Sequence, residues 1–249
     1  MTNKLHIAIR SYKRAGDVKT IDIFKDATIW IPESQKEDYE KHYTNIQCIP
    51  DNEDGNSSRK LNSILNRCEA DWILILDDDI TDICYWEKGQ KYSVSPDEIE
   101  DIIKHYFQVA EDLGVKLWGI NVNGDPMSYR VYSPISFLSP VLAPFSGHLK
   151  TDLRYDEEIP YKEDYDFWLQ NIRKYRKTLR VNKYHYMHYH GSGLKGGLVG
   201  KRTMEKEKKS VDNMIKKWGS QVFKGTKASG LNKQENILNS QVKVPIKGL

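Results

Sequence analysis

Residues 71–80, DWILILDDDI, constrain the fold of this chain more than any other stretch. The apolar run 73–76 leads directly into three carboxylates, Asp77, Asp78 and Asp79. A short, wholly apolar run reads as a strand buried on both faces of a parallel sheet. Acids at its end would lose their hydration if buried unpaired. They therefore belong at the mouth of the sheet, where something positive meets them. In open α/β sheets that mouth, at the carboxyl ends of the strands, is where ligands bind. A divalent cation carrying a phosphorylated ligand is the simplest partner. Asp77 and Asp79 lie two apart, so an extended segment points them the same way, and a turn brings all three together.

The sequence before this stretch alternates strands and helices. Residues 5–9 predict a first strand, which ends in the polar loop Arg10-Ser11-Tyr12-Lys13-Arg14-Ala15-Gly16. An aromatic ring with basic groups can stack a nucleobase and meet a diphosphate; an ordinary surface loop is the plainer reading. Residues 27–31 predict a second strand, 34–43 a surface helix and 46–49 a third strand halted by Pro50. Ser57 or Ser58 can then cap a helix over 59–68. Arg59 and Lys60 sit in its first turn, against the usual preference for acids there. Either an anion binds between them or both project into water. Strand–helix alternation without a hairpin signal predicts a mostly parallel, Rossmann-like sheet flanked by helices.

Beyond the acids, residues 86–95 read as a polar loop. Ser95-Pro96-Asp97-Glu98 is a helix start, and Gly114 ends that helix. Residues 115–122 predict another buried strand, and 127–148 predict short strands forming a wall over the sheet. Glu163, Asp164 and Asp166 open an amphipathic helix running to about residue 175. Acids in a first turn often only complement the helix dipole. They matter more here because chemistry at Asp77–Asp79 needs a general base. After a short strand at 178–181, His185, His188 and His190 cluster. His188 and His190 alternate, so an extended segment turns both imidazoles to one side, and imidazole suits a metal already held by carboxylates. The glycine-rich run from Gly191 through Lys195, Gly196 and Gly197 can turn backbone N–H groups to a diphosphate, although it is neither a GxGxxG nor a Walker motif.

Residues 201–218 predict a basic helix, followed by a polar tail over 219–249, so the expected layout is one domain over 1–218 with that tail. The net charge of +3 hides an asymmetry. Residues 195–249 hold 13 Lys/Arg and 4 Asp/Glu, leaving 25 and 31 in the remainder. A basic end behind an acidic core favours a polyanion; a solvated lysine-rich helix explains the charge equally well. No apolar run approaches the ~20 residues of a membrane span. The three cysteines, Cys48, Cys68 and Cys84, are odd in number and far apart, and the first residues lack a signal-peptide pattern. Both features predict a soluble protein of a reducing cytosol.

An apolar strand ending in a DxD-type cluster, with a later KEDYD block at 162–166, resembles the GT-A glycosyltransferases. More narrowly, the blocks IAIRSYKRAG, ATIWIPESQKEDY, NSSRKLNSIL, DWILILDDDI and KEDYDFWLQ and the late GG loop resemble the TET-associated glycosyltransferases of phage, over roughly residues 5–218. That group is thought to add sugars to 5-hydroxymethylated pyrimidines in DNA. The resemblance implies a single GT-A type domain, a UDP-sugar donor and Mn2+ or Mg2+. It implies that Ser11, Tyr12 and Arg14 hold the nucleotide, with Arg59 and Lys60 on phosphate or ribose and Asp78 near ribose or sugar. Asp77 and Asp79 become the metal acids, with His190 or His188 completing the coordination and Lys195, Gly196 and Gly197 closing over the diphosphate. Asp164, or else Glu163 or Asp166, becomes the acceptor base if the reaction inverts the anomeric carbon; if it retains configuration, the acid only positions the sugar. The implied partners are the donor and DNA carrying a hydroxymethylated pyrimidine, with no membrane, and the implied location is the cytoplasm, the host's if the chain is phage-encoded. A saccharide or protein acceptor, a non-catalytic nucleotide-sugar or nucleic-acid binding module, and nucleotidyl transfer are the competing readings.

Overall fold

The computed structural model describes residues 3–189, 202–227 and 238–244. Strands β1 (Leu5–Arg10), β2 (Thr28–Pro32), β3 (Ile46–Ile49) and β4 (Trp72–Asp77) are parallel, in the spatial order β3-β2-β1-β4. Short helices α1 (Lys36–Glu40) and α2 (Asp51–Asp54) flank β3, and α3 (Ser57–Arg67) leads back to β4. This is the parallel, Rossmann-like arrangement that the strand–helix alternation predicts. The cap of α3 is Asn56, whose side chain accepts from the Arg59 amide, so Ser57 is released for another role.

The apolar run of β4 divides between two cores. Trp72, Leu74 and Leu76 pack on one side of the sheet with Ile99, Ile103 and Phe107 of α4 (Pro96–Asp112). Ile73 and Ile75 pack on the other with Leu61 and Ile64 of α3 and Phe167, Trp168 and Ile172 of α5 (Glu163–Tyr175). Each such side chain contributes about 2 kcal/mol on leaving water. A strand committed to two cores cannot shift by one residue without exchanging them, so Asp77 is held at the sheet's edge.

The second half is mixed, and here the structure departs from the sequence expectation. Strands β5 (Ile80–Glu87) and β6 (Gln90–Ser93) form a hairpin where a polar loop was expected. Lys88 and Gly89 turn it with φ of 49° and 79°, the positive pair a two-residue hairpin loop requires. After β7 (Leu117–Asn121) and the two-residue β8 (Ile135–Ser136) comes β9 (Phe145–Leu149), which is inserted antiparallel between β4 and β7. The expected wall over 127–148 is thus largely a sheet strand plus a loop whose Met127, Val131 and Tyr132 are exposed. β9 fits because Gly147 has no side chain: a Cβ there would stand 2.0 Å from the Trp118 indole nitrogen. β10 (Leu179–His188) runs parallel to β7 and antiparallel to β5, so His185 and His188 lie on an extended strand that continues the short one expected at 178–181.

Helix α6 (Met204–Trp218) follows, with Thr203 as its cap. Within the segment read as a polar tail, β11 (Phe223–Lys227) and β12 (Leu238–Val242) pair antiparallel. Their Phe223 and Leu238 are buried with Val211 and Met214 of α6 in the same cluster as Phe167 and Trp168. Among the described residues no helix is long and apolar enough to cross a membrane.

Candidate active site

The pairing directions put the carboxyl ends of β1, β4, β7 and β10 on one edge of the sheet. The acids sit there. Asp78 turns inward and is buried, ion-paired to Arg14, and it accepts the Ser11 hydroxyl at 2.5 Å. The Ser11 hydroxyl also meets the Tyr39 hydroxyl at 2.8 Å, which accepts the Arg14 amide at 2.9 Å. The Lys60 ammonium donates to the Ser11 carbonyl at 2.5 Å, pairs with Asp54 at 3.2 Å and lies 5.7 Å from the Tyr12 ring centre. The loop after β1 and the first turn of α3 thus bring Ser11, Tyr12, Arg14, Lys60 and Asp78 together. Arg59 is not among them: it is exposed and bonds Glu157 at 3.1 Å. Burial raises the Asp78 pKa to about 6, with Arg14 and the Ser11 hydroxyl opposing and Asp77 and Asp79 reinforcing it.

Asp77 and Asp79 are more open, each side chain 26% exposed. Their turn is fixed by backbone bonds. Thr20 Oγ1 donates to the Asp77 carbonyl at 2.5 Å and accepts the Ile80 amide at 2.9 Å, while the Lys19 amide meets the Asp78 carbonyl at 2.8 Å. The Tyr189 amide bonds the Asp79 carbonyl at 2.9 Å, which ties the end of β10 to the cluster. A register shift between Met187 and His188 precedes that bond. Burial and the neighbouring Asp77 raise the Asp79 pKa; Arg14, 3.2 Å away, and His188 pull it back.

Arg10 joins this cluster to a second one. Its Nε pairs with Asp77, its Nη1 donates to Ser57 Oγ at 2.6 Å, and the same nitrogen lies 3.8 Å from Glu163. Ser57 Oγ donates to Glu163 at 2.5 Å, so the amino ends of α3 and α5 meet here. Burial works against the Arg10 charge, but Asp77 and Glu163 outweigh it and raise its pKa. Burial and Asp164 push Glu163 up to about 7, against Arg10 and the Ser57 hydroxyl. Asp164 is also raised by burial; the Tyr165 amide at 2.8 Å, Lys162, Arg10 and the Ala143 amide hold it down. Two adjacent acids, both raised, titrate as a pair and not independently. Asp166, read from sequence as a further acid of this group, faces elsewhere. It is buried against α6, where it accepts Lys217 at 2.9 Å, Trp218 Nε1 at 2.8 Å and Gln170 at 2.7 Å. With its hydrogen-bonding capacity spent there, it braces α5 on α6.

Among the described residues no group of three or more His, Cys, Asp or Glu is arranged to hold a metal ion. The edge nevertheless has the chemistry for one. Among the described residues, the ion pairs of Asp77, Asp78, Asp79, Glu163 and Asp164 are with two guanidinium groups, Arg10 and Arg14; Lys60 is matched by Asp54, and Lys162, which also stabilises the Asp164 carboxylate, is matched by Glu207. A Mg2+-like ion is commonly held by one or two carboxylates plus substrate phosphates, with no closed protein cage. Asp79, with Asp77 and His188 beside it, fits that pattern. His190, Lys195, Gly196 and Gly197 lie outside the described residues.

The sequence puts Arg10 in the loop expected to meet a nucleotide, whereas the structure sets it between Asp77, Ser57 and Glu163; Ser57, Tyr186 and Tyr155 as site residues have no counterpart in the sequence reading. The Tyr186 ring is buried on β10 between the two acid groups: Asp77, Asp164 and Asp79 all raise its pKa beyond the effect of burial. Tyr155 faces Glu163 and Asp164 from the other side. Arg10 carried a signal, since a cation ending β1 stands in parallel register with Asp77 ending β4.

No family model matches the chain, and no curated protein matches it. Solved structures do. A crystal structure of glucosyl-3-phosphoglycerate synthase from Mycobacterium tuberculosis with Mn2+, uridine-diphosphate-glucose and phosphoglyceric acid superposes with a TM-score of 0.56 at 10% identity, over 98% of this chain and 88% of that one. The same enzyme with Mg2+ and uridine diphosphate gives 0.55 at 11% identity, over 97% and 87%. Residues 1–349 of S. aureus TarS give 0.48 at 12% identity; this chain spans 59% of that one, and the likeness bears on nothing further. At such identities the likeness is one of fold alone: the chain shares the mixed α/β architecture of that synthase.

Proposed function

We propose that the chain is a metal-dependent glycosyltransferase, which moves a sugar from a UDP-sugar to an acceptor hydroxyl. The observation that carries this reading is the excess of acid at the carboxyl edge of the sheet, set beside the cradle of Ser11, Tyr12, Arg14 and Lys60. The likeness of fold to synthase complexes holding Mn2+ or Mg2+ with UDP-glucose or UDP adds support. Asp79, with Asp77 and His188 or His190, would hold the divalent ion, which when bound offsets the charge on a departing diphosphate. Tyr12 offers a ring face to the nucleobase. Lys60 and Arg14 supply positive charge to the donor, and Lys195, Gly196 and Gly197 belong to the same proposal as phosphate contacts. Asp78, pinned by Arg14 and Ser11, faces ribose or sugar. Asp164 accepts the proton of the acceptor hydroxyl, while Glu163 beside it keeps a proton near neutral pH and so spares the site a second buried charge.

For the acceptor, the proposal is the 5-hydroxymethyl group of a modified pyrimidine in DNA. Its support is the resemblance of sequence blocks and the exposed Lys208, Lys209 and Lys216 of α6. Lys217, by contrast, is engaged by Asp156 and Asp166. A duplex acceptor has to expose the base to reach a recessed site. The test incubates the protein and Mn2+ with UDP-sugars and either hydroxymethylated DNA, unmodified DNA or phosphoglycerate, and follows UDP release and product mass. Hexose-sized mass gain on hydroxymethylated DNA alone is the expected result. Transfer to a small acceptor alone refutes the DNA reading and leaves the donor reading standing; absence of UDP release under every condition refutes both.

A further inference from the structure

The residue before the acid pair of α5 has no part in the chemistry proposed above. Lys162 stands at the N-cap position of that helix without a side-chain capping bond, is 4% exposed, and turns its ammonium to Glu207 of α6 at 2.7 Å. Glu207 is 0% exposed and both its oxygens are occupied. Oε1 also accepts the Leu238 amide of β12 at 3.0 Å; Oε2 accepts Nε and Nη2 of Arg202 at 3.0 and 2.8 Å. Lys162 in turn donates to the Leu238 carbonyl at 2.8 Å, and the Arg202 guanidinium lies 5.4 Å from the Tyr161 ring centre. Three segments far apart in sequence are thus locked at one buried carboxylate.

A buried ion pair is a poor source of stability, because desolvation offsets most of the Coulomb attraction. What it supplies is geometry. A cation at a helix amino end opposes the helix dipole, so Lys162 stays there because Glu207 holds it. The first turn that follows carries Glu163 and Asp164. We infer that Lys162 and Glu207 form a positioning pair, through which α6 and the β11–β12 hairpin fix the place and charge environment of Asp164. The inference rests on the reading of Asp164 as acceptor base.

Asp164 faces Glu163 and Lys162 from its own turn and Arg10 from β1; the Tyr165 and Ala143 amides bond it, and the hydroxyls of Tyr155 and Tyr186 face it. Lys162 and Arg10 are the two cations that stabilise its carboxylate. Removing Lys162 leaves Arg10 alone, already shared between Asp77 and Glu163.

The experiment compares wild type with K162M/E207M, which replaces the pair by apolar side chains of similar length, and with K162M, which leaves Glu207 paired to Arg202. The Asp164 carboxyl is followed by 13C NMR titration, assigned by its absence in D164N, alongside melting temperature and the pH profile of UDP-sugar turnover. The expected result is an Asp164 titration moved up by about one pH unit in K162M and by less in K162M/E207M, where loss of the Glu207 charge opposes the shift, an acid limb of turnover moved with it, and a wild-type profile in K162R. An Asp164 titration unmoved in folded K162M overturns the inference, whatever happens to the melting temperature. The titration is read without substrate, so absence of turnover in wild type would refute the functional reading and leave this inference to be decided separately. If K162M/E207M does not fold, K162M carries the comparison.

Discussion

Replacing Glu163 with glutamine isolates the electrostatics of the acid pair. In the folded chain, burial and the repulsion of Asp164 raise the Glu163 pKa from 4.5 to about 7. A carboxyl whose folded pKa is raised holds its proton more tightly folded than unfolded. The stability it contributes is therefore full below the unfolded pKa of 4.5 and is lost as pH rises through about 7. At about 1.36 kcal/mol per unit, the loss is on the order of 3 kcal/mol. Glutamine keeps the shape and still accepts the Ser57 hydroxyl, but it does not titrate. The unfolding free energy of E163Q minus that of wild type should accordingly grow by on the order of 3 kcal/mol between about pH 4.5 and about pH 8. Urea denaturation of both proteins across that range measures it; titrations of groups remote from the pair cancel in the difference, which reports Glu163 together with the relief of Asp164. A difference that stays flat with pH would refute the reasoning, since Glu163 would then titrate alike folded and unfolded.

Arg10→Met removes the cation shared by Asp77 and Glu163, and should destabilise by about 3–5 kcal/mol in denaturant unfolding, because two partly buried carboxylates lose their partner. Phe223→Ala should cost about 3–5 kcal/mol, the price of emptying a fully buried aromatic site; a loss below about 1 kcal/mol in thermal unfolding would mean that the hairpin is not part of the core. Gly147→Ala should cost about 3 kcal/mol or more, because the added methyl meets the Trp118 ring and both strands are central; a folded variant with wild-type melting temperature would contradict the close approach of β7 and β9.

Much of the fold is legible from local signals. The apolar run ending in Asp77 announces a strand buried on both faces, and the Ser95–Glu98 capping box starts α4 as the sequence predicts. The hairpin at β5 and β6 hides because its turn is Lys88-Gly89 and its second strand, QKYS, is exposed throughout. β9 is invisible locally: its place between β4 and β7 depends on the void over Gly147 that the Trp118 indole fills. At the site, residue types and strand ends point to Ser11, Arg14, Lys60, Asp78 and Asp79 as neighbours. Arg10, Ser57 and Tyr186 join only through tertiary contacts between elements far apart in the chain. Asp166 could have been separated from Asp164 beforehand. At 3.6 residues per turn the two stand about 200° apart on α5, so they cannot serve one cleft.

In the proposed function the acidic edge takes up a divalent ion together with a nucleoside diphosphate. Calorimetric titration of UDP into the protein, with Mn2+ and with EDTA, tests it most directly, using wild type and D79N. The expected result is tight UDP binding by wild type only when Mn2+ is present, and loss of that enhancement in D79N. UDP binding of equal strength in Mn2+ and EDTA, or an enhancement that survives in D79N, would contradict it.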